Sequence, residues 1–470
     1  MIDARAVFDI GKTNIKLSLV DAQGRELQVR RRANVVVTAG LYPHHDVDAI
    51  ETWLLSTLRE LAQQAHISAI VPITHGATAA LVDDAGLVLP VLDYEHSLPS
   101  CIDRPQYDTV RAPFAQTCSP ALGQGLNLGR QLYWQQQTYP DAFHRARRLL
   151  LYPQYWAWRL CGVAAAEVTS LGCHSDLWQA AAGDYSRLVS RCDWQHLMPP
   201  LRHAWEELGT ILPQLARETG LSPQCKVLCG VHDSNASLLR YLEAEGPRTI
   251  LSTGTWVIAA ALDGSLEHLQ EASDMLANTN VLGQPVACMR FMGGREFAEL
   301  AGTQANACSL SDLQGLIDRH SMALPCFSGC GGPFAARQGR LLGPAPSNPA
   351  EQYALATLYC VLMTDFCLEQ LNAQGTLVVE GSFTANPYFS ALLAIADGRT
   401  VYCSQDSSGT TVGGWLLWHW RDTARVKSLA PLRQIVPPLL TGWEGYRRAW
   451  RDALKPVMEN DRQDQFSALQ

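Results

Sequence analysis

No window of the chain holds the 18 or so uninterrupted apolar residues that a membrane-crossing helix needs. Even Trp415-Leu416-Leu417-Trp418-His419-Trp420 runs at once into Arg421-Asp422. The N-terminus, Met1-Ile2-Asp3-Ala4-Arg5, lacks a basic segment followed by an apolar one, so no secretory leader is predicted. A basic excess is missing too. Lys+Arg number 37 against Asp+Glu 45, a net charge of −8 and the opposite of a nucleic-acid footprint. Fourteen cysteines form no CxxC pair, and the wider spacings, Cys225 with Cys229 and Cys326 with Cys330, have no second matched pair to complete a zinc site. The expectation is a cytoplasmic protein with buried thiols, partnered by neither membrane nor nucleic acid.

What is present is apolar bulk. Hydrophobic residues make up 47% of the 470 and charged residues 17%, enough for more than one core. At roughly 100–200 residues per domain, two to four domains are expected.

Residues 5–10 read as a strand ending in Gly11-Lys12-Thr13, and residues 14–20 alternate apolar and polar as a second strand does. A third follows near 26–37. Val47, Ile50, Leu54, Leu58 and Leu61 then fall on one face of a helix over 47–64, and another strand runs from Ile67 to Thr74. His44-His45-Asp46, just before that helix, reads as a polar entry loop rather than a metal cluster. The strand–Gly–strand pattern recurs. When Gly11 is laid over Gly254, Val7–Lys12 covers Ile250–Thr255, and Ile15 and Leu17 cover Ile258 and Ala260. Two halves are predicted, 1–245 and 246–470, with a hinge at Glu245-Gly246-Pro247. In the second, a helix over 351–372 precedes the strand Thr376–Glu380, and Asn386 caps a helix with Pro387 at its first position. Ser407-Ser408-Gly409 and Gly413-Gly414 bracket a further turn, and Trp415, Trp418 and Trp420 read as core of this half.

Gly11-Lys12-Thr13 is no P-loop, because that motif needs a glycine where Ala6 stands. What remains is a strand-ending carboxylate, Asp9, followed by donors in a tight turn. Such a turn can aim N–H groups, Lys12 and Thr13 at phosphate oxygens while Asp9 holds hydrated Mg²⁺. An ordinary hairpin with a solvated lysine has the same sequence. In the second copy Ser252 replaces the carboxylate, and Thr253, Gly254 and Thr255 offer hydroxyls and N–H groups suited to a terminal phosphate. Asp233 stands where a strand meets a helix N-terminus, the place of an N-cap and also of a carboxylate able to take a proton from an attacking hydroxyl.

Asp9-Ile-Gly-Lys-Thr-Asn14, Thr74-His75-Gly76-Ala77, Val231-His232-Asp233-Ser234, Ser252-Thr253-Gly254-Thr255-Trp256 and Val379-Glu380-Gly381-Ser382, in that order, resemble the FGGY carbohydrate kinases. The resemblance covers residues 5 to about 425. It implies an α/β protein of two ribonuclease-H-like, actin-type ATPase domains with a cleft between them, closing over a sugar and Mg·ATP. The first domain, 1–245, would carry the sugar and the first phosphate loop; the second, 246–470, the second phosphate loop and the adenosine site. By the same resemblance, Asp233 is the catalytic base, and Asp9 with Asp233 lies at the Mg²⁺. Gly11, Lys12, Thr13 and Asn14 contact phosphate, as do Thr253, Gly254 and Thr255. Gly381, Ser382, Asn386 and Gly413 line the adenosine pocket, although Glu380 stands where the family carries a glycine. His75, Gly76 and Asp93 face the sugar, alongside Asp233. The His-Asp-Ser run and Trp256 are similar to the rhamnulose and fuculose kinase branch, which implies a 6-deoxy-ketohexose or a ketopentose as acceptor and allows a homodimer. An actin-like or chaperone ATPase would share the fold without needing the base. A sugar sensor would keep the pocket and lose Asp9 or Asp233.

Overall fold

The computed structural model describes residues 1–98, 104–243, 246–396, 398–404, 409–420, 422 and 432–467. Cys101, Glu245 of the expected hinge, and Ser407-Ser408 lie outside the described residues. Among the described residues no helix is long and apolar enough to cross a membrane. The chain divides into two compact units: Met1–Glu245 with Leu276–Val286 and Ser408–Ala430, and Gly246–Met275 with Ala287–Ser407 and Pro431–Gln470. This differs from a single cut after residue 245 in the two segments that return to the first unit.

In the first unit, β1 (Ile2–Ile10), β2 (Asn14–Asp21) and β3 (Glu26–Ala33) form the expected meander, followed by α1 (Val47–Ala62) and β4 (Ala65–Thr74). The apolar face read from the sequence is the buried one, and Asp46 caps α1 by accepting from the Ala49 N–H at 3.0 Å. Burying each of its leucines contributes about 1.5–3 kcal/mol, so packing rather than propensity holds this helix in place. Later come β5 (Glu207–Thr210), β6 (Lys226–Leu228), β7 (Val231–His232) and α2 (Asp233–Leu242). The sheet order is β5-β6-β4-β1-β2-β3, with β7 also beside β4. β1, β4 and β7 are parallel, and their register sets Ile10 against Thr74 and Thr74 against His232. Three strands therefore end side by side.

The second unit repeats the plan with β8 (Arg248–Thr253), β9 (Val257–Ala261), β10 (Pro285–Phe291), α3 (Pro349–Gln370), β11 (Thr376–Gly381), α4 (Pro387–Ala396), β12 (Val401–Ser404) and β13 (Leu432–Gln434). Its strands run β10-β9-β8-β11-β12-β13, and β8 is antiparallel to β9 and parallel to β11, as β1 is to β2 and β4. One detail departs from the overlay of the two copies. Ile10 pairs with Ile15, whereas Thr253 pairs with Val257, so the second hairpin is one residue shorter and Ile15 corresponds to Val257 rather than Ile258.

Gly413 and Gly414 do not form a turn. They sit inside a helix, α5 (Gly409–Trp418), which belongs to the first unit and packs on α2. A Cβ on Gly413 would lie 2.2 Å from the Ala236 carbonyl oxygen, and one on Gly414 2.6 Å from Val7. Close helix packing, not turn geometry, requires both glycines. Trp415 is likewise buried with Val7, Val20 and Ile73 of the first unit, and Trp418 and Trp420 lie against that same cluster, not in the core of the second half.

Candidate active site

The ends of β1, β4 and β7 bring together the turn after Asp9, the His75-Gly76 pair and Asp233, in the position where parallel α/β sheets bind ligands. The first turn is closed by the Gly11 N–H donating to the Asn14 carbonyl at 2.9 Å, which leaves Thr13 and Asn14 exposed. Asp9 accepts from the Thr410 hydroxyl at 2.6 Å through Oδ2 and lies 3.7 Å from Lys16, whose ammonium donates to Thr411 at 2.7 Å. Burial raises the Asp9 pKa, Thr410 and Lys16 oppose that shift, and the nearby Asp233 charge reinforces it. Lys16 and Thr410 were not singled out in the sequence. Lys16 was legible as the cross-strand partner of Asp9, while Thr410 lies 401 residues away and carried no local signal.

Asp233 is the first residue of α2, with His232 in the cap position, so it is not the N-cap. Its Oδ1 accepts from the Ser234 N–H at 2.6 Å and lies 3.2 Å from His232 Nε2. Among the described residues its other oxygen takes no hydrogen bond. Burial raises the Asp233 pKa, and His75 and Ser234 pull it back. Burial also pushes His232 down to about 4, so its ring is neutral near pH 7. On the other side of the ring, Asn235 Nδ2 sits 3.4 Å from His232 Nδ1. Behind this pair, the His232 N–H donates to the Thr169 hydroxyl at 3.1 Å, and that hydroxyl donates to the fully buried Glu167 at 2.5 Å. Burial raises Glu167 to about 8. Gly76 is what lets the β4 turn approach, since a Cβ there would stand 2.8 Å from His232 Nε2.

His75 is buried. Its Nδ1 faces the Gly76 carbonyl at 3.0 Å, and its Nε2 has no partner among the described residues. Burial lowers its pKa. Lys12 does not stand free in the turn after Asp9. It bonds Asp93, lies 3.3 Å from Glu95 and sits 5.0 Å over the Tyr94 ring. An expected phosphate contact and an expected sugar contact are thus paired with each other.

In the second unit, the Gly254 N–H closes its turn on the Trp256 carbonyl at 2.8 Å, leaving Thr255 exposed. The Thr253 hydroxyl faces inward instead, donating to the Glu380 carbonyl and accepting from the Phe383 N–H at 3.0 Å. It stitches β8 to the turn after β11. Gly381, at φ +86°, is required there because a Cβ would meet the Thr253 carbonyl oxygen at 1.9 Å. Ser382 is exposed beside it. Asn386 is buried, accepting from the Tyr388 N–H at 3.1 Å and donating to Thr357 at 2.9 Å. These bonds make it a helix cap. Trp256 is held by the Arg290 guanidinium 4.7 Å over its ring, and Arg290 in turn bonds Asp274 at 3.0 Å.

Two family descriptions match the chain: FGGY family of carbohydrate kinases, N-terminal domain, over residues 109–239, and Carbohydrate kinase FGGY, C-terminal domain, over 245–426. The chain is similar to a carbohydrate kinase of known structure from Novosphingobium aromaticivorans, with 36% identity and a TM-score of 0.90 over 97% of this chain and 99% of that one. It is 24% identical over 274 residues to an L-fuculokinase of Salmonella typhi, covering 56% of this chain and 58% of the relative. An L-xylulose/3-keto-L-gulonate kinase of Escherichia coli (strain K12) is 24% identical over 278 residues, 55% of this chain and 54% of its own. The matched region spans little more than half the length of these curated relatives.

Proposed function

The chain belongs to the FGGY family of carbohydrate kinases, and from that premise we propose that it transfers the γ-phosphoryl group of ATP to a hydroxyl of a ketose. The acceptor in this reading is a 6-deoxy-ketohexose such as L-fuculose or L-rhamnulose, or a ketopentose. The similarity to an L-fuculokinase and to an L-xylulose/3-keto-L-gulonate kinase supports that class.

The observation that carries the reading is Asp233. One oxygen accepts from the Ser234 N–H with His232 3.2 Å away, and the other, like His75 Nε2, takes no hydrogen bond among the described residues and is left for a ligand. An acceptor hydroxyl at that second oxygen gives up its proton to Asp233 as its oxygen bonds phosphorus and the β–γ bridge of ATP breaks, releasing ADP. The raised pKa of Asp233 suits this role, because a carboxylate of higher basicity is a better acceptor near neutral pH. His232, neutral, lies 3.2 Å from the carboxylate and borders it on that side. His75 holds the sugar against it. Thr13 and Asn14 in one hairpin and Gly254 and Thr255 in the other are the phosphate donors of this reading, with Gly381 and Ser382 at the adenosine. Gly413 and Asn386 support these elements from within rather than touch nucleotide.

Asp9 and Asp233 are hard oxygen donors close enough to influence each other's ionisation, and each has an oxygen without a hydrogen bond among the described residues. They fit Mg²⁺, which is held by one or two carboxylates plus waters and phosphate. When bound it would neutralise charge on the transferring group. A coupled ADP-release assay over a panel of ketoses and polyols tests the proposal. Turnover with at least one ketose supports it, and ATP hydrolysis indifferent to every sugar overturns it in favour of a plain ATPase.

A further inference from the structure

Beneath the His75-Gly76 turn lies a buried imidazole, His45, that this mechanism leaves idle. His45 pairs with Val36 in a two-stranded ribbon, and its N–H donates to the Val91 carbonyl at 2.9 Å. Next to it, the Asp93 N–H donates to the Pro43 carbonyl at 3.0 Å, so the strand bearing His45 runs beside the residues that lead to Asp93. The His45 ring is stacked on Tyr152, with centroids 5.4 Å apart, and tilted against His75 at 5.1 Å. It is 1% exposed, and among the described residues neither of its nitrogens has a hydrogen-bond partner. Together with His75 Nε2, that places three orphaned buried nitrogens on two touching rings.

Such a group is not explained by packing. A phenyl ring would stack on Tyr152 and His75 equally well and bury no unsatisfied donor or acceptor, so stacking alone does not call for an imidazole here. Burial and the neighbouring His75 and Lys12 charges keep His45 neutral, so it presents one donor and one acceptor. We propose that His45 is a specificity-determining residue of the acceptor site, recognising a sugar hydroxyl together with His75 through an enclosed water. At 1% exposure the ring does not meet a hydroxyl directly, so the proposal places a water between them, and a buried water is stable with two to four polar partners. A hydroxyl-bearing carbon of one configuration completes this network, and a deoxy or epimeric carbon leaves it open. Rejection of the analogue lacking the group is what polar sites do best. The inference rests on the kinase reading above and names one residue that sets its acceptor.

The test is calorimetric titration of the full chain, without nucleotide, with L-fuculose, L-rhamnulose, D-xylulose and L-xylulose, each beside a deoxy or epimeric analogue. In His45→Phe, affinity for the preferred ketose should fall about tenfold, the loss of one hydrogen bond. Preference over the analogue should shrink by the same factor. The melting temperature of the sugar-free variant should not drop, since two unsatisfied atoms are removed. His45→Gln, which keeps a donor and an acceptor, should retain part of the discrimination and decides the matter if His45→Phe does not fold. Unchanged affinity and discrimination overturn the proposal, as does a lower melting temperature with discrimination intact, which marks a core residue. A wild-type chain that binds none of the ketoses overturns the ketose acceptor of the kinase reading and this inference with it. A wild type that discriminates as well as its variants overturns this inference alone.

Discussion

Asp233→Asn is the most informative single change. The amide has the size of the carboxyl group, and its oxygen can still accept from the Ser234 N–H at 2.6 Å and face His232 Nε2 at 3.2 Å. What it cannot do is take a proton at the other position, which becomes an NH₂ group. The perturbation therefore removes the base, and with it one of the two carboxylate charges offered to Mg²⁺, while keeping the side-chain geometry. Loss of a general base lowers turnover by about 10²–10⁴, or roughly 2.7–5.5 kcal/mol of barrier. That loss should appear in kcat at saturating ketose and ATP, measured by coupled ADP release, while the ketose Kd changes by less than about threefold. Stability should move the other way. Asp233 has a raised pKa, so the folded state holds its proton more tightly than the unfolded chain, and its ionised form weakens the fold at every pH above the folded pKa. The variant should thus melt no lower than wild type at pH 7–8, and any advantage should vanish as pH falls toward the unfolded carboxylate value of about 4. Retention of more than about a tenth of wild-type kcat would refute the assignment of Asp233 as base. A melting temperature well below wild type at pH 8 would refute the electrostatic argument.

Three further outcomes follow from the same geometry. Because Asp9 and Asp233 both have raised pKa values, kcat/KM should fall on acidification with a midpoint above the ordinary carboxylate range near 4; a profile flat to pH 4 contradicts this. Asp9→Asn should raise the Mg²⁺ concentration needed for half-maximal rate about tenfold or more and leave the nucleotide-free ketose Kd near wild type, and an unchanged Mg²⁺ titration at full activity would remove Asp9 from the metal. Gly413→Ala should destabilise the first unit by about 1–3 kcal/mol, because the new methyl meets the Ala236 carbonyl oxygen at 2.2 Å. Calorimetry checks this, and a loss of ATP affinity with unchanged melting would restore Gly413 to the nucleotide pocket.

Local signals carried the sequence a long way here. The alternation of Asn14–Val20, the apolar stripe of α1, the glycines that close two hairpins and the His232-Asp233 step from strand to helix are each written within a few residues, where backbone sterics and burial act directly. That is why the duplicated hairpin and the carboxylates at strand ends were legible without coordinates. Tertiary structure decided which residues meet them. Thr410 reaches Asp9 only because α5 (Gly409–Trp418) packs in the first unit. Lys12 turns to Asp93 across 81 residues, and Gly413-Gly414 lie inside a helix because Ala236 and Val7 crowd them. His45 looked like part of a polar loop, and it became a buried, unpartnered imidazole only once Tyr152 and His75 closed over it. A one-dimensional pattern records which face of an element is apolar, whereas a buried polar atom is satisfied or orphaned by neighbours drawn from distant parts of the chain, and only folding chooses them.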